Sequence, residues 1–429
     1  MPGRRKPLRA PMADFRLSSF GERYSGQTGI LDLMKDLSEP PTDPDSPFSM
    51  LGGGNPAIIP EVAAAWETSL RGLFEGRGFD RLIGAYGSQI GSSGFRRAIA
   101  ERFAADYGWD ITEKNVGIVN GSQIAAFYLL NMFSGKFPDG QKRRILLPVV
   151  PEYIGYADQG LERDIFAGRR PEIEMLGERS FKYRVDFDSL DVDDSIGAIC
   201  VSRPTNPTGN VLTDDEVGKL ASLATARGIP LILDNAYGLP FPGIIFREAR
   251  PVWNKDIVLC MSLSKIGLPA LRTGIVVARE GLIEALSATN AIVSLATGSL
   301  GPAVAESLLR SGELLRLSRE VVGPYYAAKS RRALEITADE LGDLPWAAHV
   351  SEGAIFLWLW FRDLPIATQE LYRRLKARNV IVLPGESFFF GLEGDWAHSR
   401  QCVRLNYSGG EELFARGMRI MAEELRKIY

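Results

Sequence analysis

Lys265 closes the stretch Ser262-Leu263-Ser264-Lys265, behind the apolar, β-branched run 257–261, and Arg272 follows seven positions later. The run predicts a buried strand. The lysine therefore leaves the end of a core strand with hydroxyls on one side and a guanidinium on the other. A lysine near a core is costly unless it has a task. Its amine can form an imine with a carbonyl, and hydroxyls beside an arginine suit a phosphate. Together they describe a lysine joined to an aldehyde that carries a phosphate, which is the chemistry of pyridoxal 5'-phosphate. The ring nitrogen of that molecule needs an acidic partner, and Asp234, ending the apolar run 229–233, is the candidate. Taken alone, S-x-S-K describes a solvated loop more often than a site, by about four to one.

Four other segments put chemistry-bearing residues just past an expected strand. Residues 116–120 lead into Gly121-Ser122-Gln123 and an apolar helix over 124–133. A strand, a small polar turn and a helix aim free backbone N–H groups at an anion, though Asn120 or Ser122 could instead serve as an ordinary N-cap. The strand over 144–149 is followed by Pro151-Glu152-Tyr153, whose aromatic ring could stack on a flat ligand or pack on the core. The strand 196–202 is followed by Arg203-Pro204-Thr205-Asn206-Pro207-Thr208-Gly209, in which two prolines hold Asn206 in a rigid turn. Asp234-Asn235-Ala236-Tyr237 ends the next strand.

Strands that alternate with helices predict a largely parallel sheet. In such open α/β sheets ligands bind at the carboxyl edge, where Asn120, Tyr153, Asn206, Asp234 and Lys265 all fall. The convergence of five segments carries more weight than any one of them. Outside this set, Leu51-Gly52-Gly53-Gly54-Asn55-Pro56 permits close backbone approach to a ligand or is a plain turn. The glycines of 86–94 do not fit a dinucleotide fingerprint. A long helix is expected over 313–341, with Leu314, Leu317, Val321 and Tyr325 on one face and a kink at Gly323-Pro324. The strand 402–407 has period two and puts Arg404 opposite Val403 and Leu405, where it could grip a carboxylate or make a surface salt bridge.

At 429 residues the chain has a two-domain length. A formal net charge of −3 gives no reason to expect a nucleic-acid or anionic-membrane partner. Three dispersed cysteines read as reduced, buried thiols of a cytoplasmic protein. Two histidines without a Cys/His cluster argue against a structural metal site. Residues 1–14 read as a disordered tail and 15–50 as an arm that contains a short helix over 30–37 and a proline-rich linker over 39–47.

The motifs Asn206-Pro207-Thr208-Gly209, Asp234-Asn235-Ala236-Tyr237, Ser262-Leu263-Ser264-Lys265 with Arg272, and Cys402-Val403-Arg404-Leu405-Asn406-Tyr407 resemble those of the class I/II aminotransferases of PLP fold type I. The resemblance runs from about Phe15 to the C-terminus. It is closest to the branch acting on valine and pyruvate, through 51–56, 151–156, 240–246 and 352–361. It implies an aspartate aminotransferase-like α/β fold, with a large domain over 51–312 built on a mostly parallel seven-stranded sheet. A smaller α/β domain over 313–429 would be joined by the arm.

For the site, the resemblance implies that Lys265 holds the cofactor covalently and then serves as base and acid at the substrate α-carbon. Asp234 keeps the ring nitrogen protonated; an ion pair at ~4 Å contributes roughly 4 kcal/mol at an effective dielectric near 20, about three pKa units. Asn206 and Tyr237 bond the ring oxygen, and Tyr153 stacks on the ring. Gly121, Ser122, Gln123, Ser262 and Arg272 bind the phosphate, with Ser264 completing the cup. Tyr86 reaches a phosphate in the partner subunit of a homodimer, and Arg404 holds the substrate carboxylate with Gly53, Gly54 and Asn206. Many relatives space the lysine and arginine by eight positions rather than seven. The implied reaction passes the amino group of valine, or a similar apolar amino acid, to pyruvate. Rivals on this scaffold are a transaminase of other specificity and a C–S β-lyase; a non-enzymatic PLP sensor would need a DNA-binding module in front.

Overall fold

The computed structural model describes residues 16–26, 31, 35, 47–75 and 79–429, apart from the side chain of residue 81. The expected tail (1–14) and the expected helix over 30–37 and linker over 39–47, save isolated positions, lie outside the described residues.

The larger sheet runs, in spatial order, Val116–Val119, Gly274–Val277, Ile257–Ser262, Leu231–Asp234, Ile196–Ser202 and Lys142–Leu147, with Phe166–Gly168 and the two-residue Gly135–Lys136 both pairing with the last. Gly274–Val277 is antiparallel to both its neighbours. The pairs from Ile257–Ser262 through to Phe166–Gly168 are all parallel. This is the mostly parallel sheet expected, with a short eighth strand added. Ile196–Ser202 and Ile257–Ser262 are buried at every position, as strands covered on both faces must be. The parallel run brings the carboxyl ends at Ser202, Asp234 and Ser262 to one edge.

A second sheet, in the order Leu383–Pro384, Cys402–Asn406, Phe356–Phe361, Trp346–His349, Ser180–Arg184, Glu172–Met175, is antiparallel except where Trp346–His349 meets Ser180–Arg184. Residues 172–184 fall inside the span expected for the large domain, yet they extend the sheet built from the C-terminal region. Ser49–Met50 pairs in parallel with Val380–Ile381, so the end of the N-terminal arm docks on that same region.

The expected long helix is in three parts: Glu313–Arg316, a π-helical stretch Leu317–Val322, and Gly323–Leu341. The Gly323 N–H bonds to the Ser318 carbonyl, five residues back. Pro324 lacks an N–H and would crowd the carbonyl four residues back; a π turn absorbs this by inserting one residue. The insertion moves the apolar stripe by one position. Leu314 and Leu317 are fully buried as expected, but Val322 and Tyr326 follow them into the core in place of Val321 and Tyr325. As a result the Tyr326 hydroxyl accepts the Ala57 N–H at 2.7 Å, which ties down the chain just after the glycine loop. None of the described helices is long and apolar enough to cross a membrane.

Candidate active site

At the carboxyl edge of the larger sheet lies a cavity of about 340 Å³, lined by residues from both sheets. A volume of this size falls within the range of small-molecule sites. Lys265, in a short 3-10 turn just after its strand, enters it and donates to the Gly54 carbonyl at 2.6 Å. Its Nζ lies 5.3 Å from the centre of the Tyr237 ring. Burial, reinforced by the charges of Arg404 and Arg272 and opposed by Asp234, lowers the amine to about 8. About a tenth of it is then free base at pH 7, against well under a thousandth for an ordinary lysine, which suits a nucleophilic or proton-transferring role.

Asp234 ends its strand with both oxygens engaged: Oδ1 accepts the Ala236 N–H at 2.8 Å and Oδ2 accepts the Tyr156 hydroxyl. Burial raises this carboxyl, while the bonds from Tyr156 and Ala236 and the charge of Lys265 lower it.

Gly121 precedes the helix Ser122–Met132 with φ 95° and no side-chain cap bond. The N-cap bond from Asn120 or Ser122 that the sequence allowed is therefore not made; Asn120 Oδ1 instead accepts the Gly298 N–H at 2.9 Å. Arg272, itself at φ 45°, crosses over Gly121, and a Cβ there would lie 2.1 Å from Arg272 Nη2. Only glycine fits both the backbone conformation and this approach. Arg272 Nη1 donates to the Pro269 carbonyl at 3.1 Å and reaches Ser264 Oγ at 3.4 Å. The Ser262 and Ser264 hydroxyls are 2.9 Å apart. Among the described residues no carboxylate pairs with Arg272. A guanidinium, hydroxyls and an uncapped helix N-terminus thus converge on one end of the cavity, a donor set that suits a phosphate.

Arg404 stands at the other end, 2% exposed. Nη1 donates to Asn206 Oδ1 at 2.7 Å and Nη2 to the Gly52 carbonyl at 2.6 Å, while buried Nε has no partner. The guanidinium lies 4.1 Å from the centre of the Phe356 ring. The surface salt bridge that the strand pattern also allowed is excluded: no carboxylate pairs with Arg404 among the described residues. Burial lowers the guanidinium to about 10, so it remains charged at neutral pH.

Of the residues singled out in the sequence, Gly54, Ser122, Gln123, Tyr153, Asn206, Asp234, Tyr237, Ser262, Ser264, Lys265, Arg272 and Arg404 line this one cavity. Gly53 does not; its carbonyl accepts Asn406 Nδ2 at 2.7 Å. Tyr86 is 86% exposed and away from the cavity of its own chain. Sequence reasoning missed the role of Tyr156 on Asp234 and of Ser202 and Asn55 in the walls. For Tyr156 a signal existed: it stands three positions after Tyr153 in the same short segment, so one turn can carry both rings to the strand edge.

A family model for class I and II aminotransferases matches residues 54–415. The valine–pyruvate aminotransferase of Escherichia coli (strain K12) is 49% identical over 413 residues, 96% of this chain and 98% of that protein. A putative amino-acid aminotransferase from Psychrobacter arcticum 273-4 superposes with a TM-score of 0.93 at 42% identity, over 97% of this chain and 99% of that one. The valine–pyruvate aminotransferase of Salmonella typhimurium LT2 gives 0.85 at 46% identity, over 93% and 99%. With the fold, the cavity and these relatives in agreement, the chain belongs to the class I and II aminotransferases.

Proposed function

We propose that this aminotransferase moves the amino group of valine, or a similar apolar amino acid, to pyruvate, giving 2-oxoisovalerate and alanine, with pyridoxal 5'-phosphate in the cavity around Lys265. The observation that carries the reading is the convergence of Lys265, Asp234 and Arg404 on one cavity, in a chain 49% identical to a valine–pyruvate aminotransferase. The donor set fits the cofactor: an amine near pKa 8 for its aldehyde, a carboxylate for its ring nitrogen, and the Arg272 cluster for its phosphate.

When bound, the cofactor accepts the amino group and draws electrons from the substrate α-carbon. Lys265 Nζ, with its lowered pKa, would take and hold the proton from that carbon. Asp234, held by Tyr156 and Ala236, keeps the ring nitrogen protonated. Tyr153 covers one ring face, and Asn206 and Tyr237 orient the ring oxygen. Gly121, Ser122, Gln123, Ser262, Ser264 and Arg272 hold the phosphate. Arg404, with Asn206 and the Gly53–Gly54 backbone, takes the substrate α-carboxylate through two parallel bonds.

Lys265, Arg272 and Arg404 are the cations among the described lining residues, and each has a task. Among the described lining residues no further cation is left for a side-chain carboxylate, which favours an apolar amino acid over an acidic one. In this reading residues 51–312 chiefly hold the cofactor and 313–429 the carboxylate grip. The active unit is a cytoplasmic homodimer in which Tyr86 reaches the partner's phosphate.

The test is the visible absorbance of the purified holoenzyme before and after L-valine and then pyruvate. A cofactor band that disappears with valine and returns with pyruvate supports both half-reactions. A band that valine leaves unchanged removes valine as the donor, and absence of any band after adding pyridoxal 5'-phosphate removes the whole reading.

A further inference from the structure

Glu152 is a fully buried carboxylate that the reaction above does not use. It belongs to Pro151-Glu152-Tyr153, yet it does not line the cavity. Oε1 accepts the Ser202 N–H at 2.8 Å, and Oε2 accepts the Ser202 hydroxyl at 2.7 Å and the Tyr153 N–H at 3.0 Å. Its own N–H donates to the Phe388 carbonyl at 3.0 Å. Among the described residues no cation pairs with it. Burial pushes its carboxyl up to about 7, against the pull of the Ser202 and Tyr153 donors. A buried acid with no counter-charge is costly to keep, and a neutral side chain would hold a merely structural joint at lower cost.

What the carboxylate joins is informative. Ser202 ends the strand beside Asp234, and the two residues are in register. Tyr153 carries the ring that faces the cavity. That ring is seated on Gly155, where a Cβ would lie 2.3 Å from it, and edge-on to Tyr156 at 5.2 Å. Gln123, from the helix N-terminus, holds the Gly155 carbonyl at 2.9 Å. The floor under the Tyr153 ring is thus fixed from the phosphate end, and its backbone is fixed by Glu152 from the strand that neighbours Asp234.

We propose that Glu152 is a positioning residue that sets the height and tilt of the Tyr153 ring against the cofactor, by holding the Tyr153 N–H and the end of the Ser202 strand with one carboxylate. The inference rests on the reading that Tyr153 stacks on the cofactor ring. Only an ionised carboxylate offers acceptors to all three donors. In Glu152→Gln the amide oxygen can keep the Ser202 N–H and the Ser202 hydroxyl can turn to accept from the amide nitrogen. The Tyr153 N–H then faces another donor; in the flipped amide the Ser202 N–H does, so either way the joint between Tyr153 and the Ser202 strand end loses one of its three bonds.

The experiment measures cofactor retention by equilibrium dialysis and the visible circular dichroism of the bound cofactor at pH 8, which reports ring tilt, alongside the melting temperature. Glu152→Gln is expected to raise the dissociation constant for pyridoxal 5'-phosphate about tenfold and to cut the visible dichroism by half or more. Ser202→Ala, which removes only the hydroxyl bond, should shift both in the same direction by about threefold or less, and it decides the matter if Glu152→Gln does not fold. Tyr153→Ala separates the two readings. If Tyr153→Ala leaves retention and dichroism unchanged, the stacking role of Tyr153 fails and this inference with it. If Tyr153→Ala alters them while Glu152→Gln and Ser202→Ala match wild type, the stacking role stands and the role of Glu152 is overturned. A Glu152→Gln protein that melts earlier with unchanged dichroism also overturns it, because the residue is then a structural joint alone.

Discussion

Two buried arginines, Arg203 and Arg404, differ in how completely they are satisfied. Arg203 is 3% exposed, and all three of its guanidinium nitrogens donate: Nε to the Leu212 carbonyl, Nη1 to the Arg250 carbonyl and Nη2 to Asp214 at 2.6 Å. Arg404 is equally buried, has no acid beside it among the described residues and keeps its Nε without a partner. The lysines repeat the contrast. Lys182 is buried against Glu352, which also accepts from Arg247 and the Val211 N–H. Lys265 has no ion pair among the described residues, and its hydrogen bond goes to a backbone carbonyl. Buried charge without a partner is unfavourable, and for these cations it falls where a ligand can complete it. Lys182 and Arg203 are completed within the protein, whereas Lys265 and Arg404 line the cavity.

The contrast predicts opposite phenotypes for matched substitutions. Lys265→Met should lower turnover by on the order of 10⁴, yet leave the urea stability of the cofactor-free protein unchanged or raised. Lys182→Met should destabilise by about 3 kcal/mol, because it strips a buried carboxylate of its main counter-ion, and should leave the folded fraction active. Equal stability losses in the two variants would remove the distinction. Arg404→Leu should raise KM for valine roughly 100-fold, the loss of two charge-assisted bonds, with little change in unfolding free energy. Arg203→Leu should instead cost about 2 kcal/mol of stability and leave KM near wild type.

The unfinished lysine also carries a pH signature. With Lys265 near 8, its free-amine fraction falls about tenfold per pH unit below that value and levels off above it. The rate at which cofactor-free protein takes up pyridoxal 5'-phosphate, followed by stopped-flow absorbance, should rise with pH and flatten near 8. Asp234 raises the lysine by its charge, so Asp234→Asn should move the midpoint lower. A midpoint near the ordinary lysine value of about 10.4 would show that the amine is hydrated in solution.

Strand ends that carry Asn206, Asp234 and Lys265 were legible because each follows an unbroken apolar run, and a parallel sheet must bring such ends to one edge. The second sheet was less so. Glu172–Met175 alternates charged residues with apolar ones and is mostly exposed, so it has no buried run to announce it, and its pairing partner is set by contacts far along the chain. The helix over 313–341 was legible as a helix, but the residue inserted before Pro324 rotates everything beyond it by about 100°, the step of one residue on a helix. Tyr156 and Glu152 bond to site residues from outside the cavity; spacing from Tyr153 hints at the first, but nothing in the sequence pairs Glu152 with Ser202, 50 residues away. That Arg404 is buried rather than in a surface ion pair likewise depended on burial that period-two patterning does not measure.

The smallest effect tests how much room the unfinished region needs. Gly54 lines the cavity and its carbonyl holds Lys265. Unlike Gly121, it has no positive φ, and the nearest atom to an added Cβ is Lys265 Nζ at 3.9 Å, an ordinary contact. Gly54→Ala should therefore fold with stability within about 0.5 kcal/mol of wild type, as surface-like substitutions without strain do. Its methyl group would nevertheless sit beside the amine and inside the space offered to the substrate. In the proposed reading it narrows the volume next to the α-carbon, so KM for valine should rise by a few-fold and KM for the smaller alanine, measured in the reverse direction, should rise less. Steady-state kinetics in both directions give the ratio. Equal increases for the two amino acids would mean that the methyl acts on Lys265 rather than on substrate volume, and a loss of stability would mean that the loop is packed as tightly as the finished pairs.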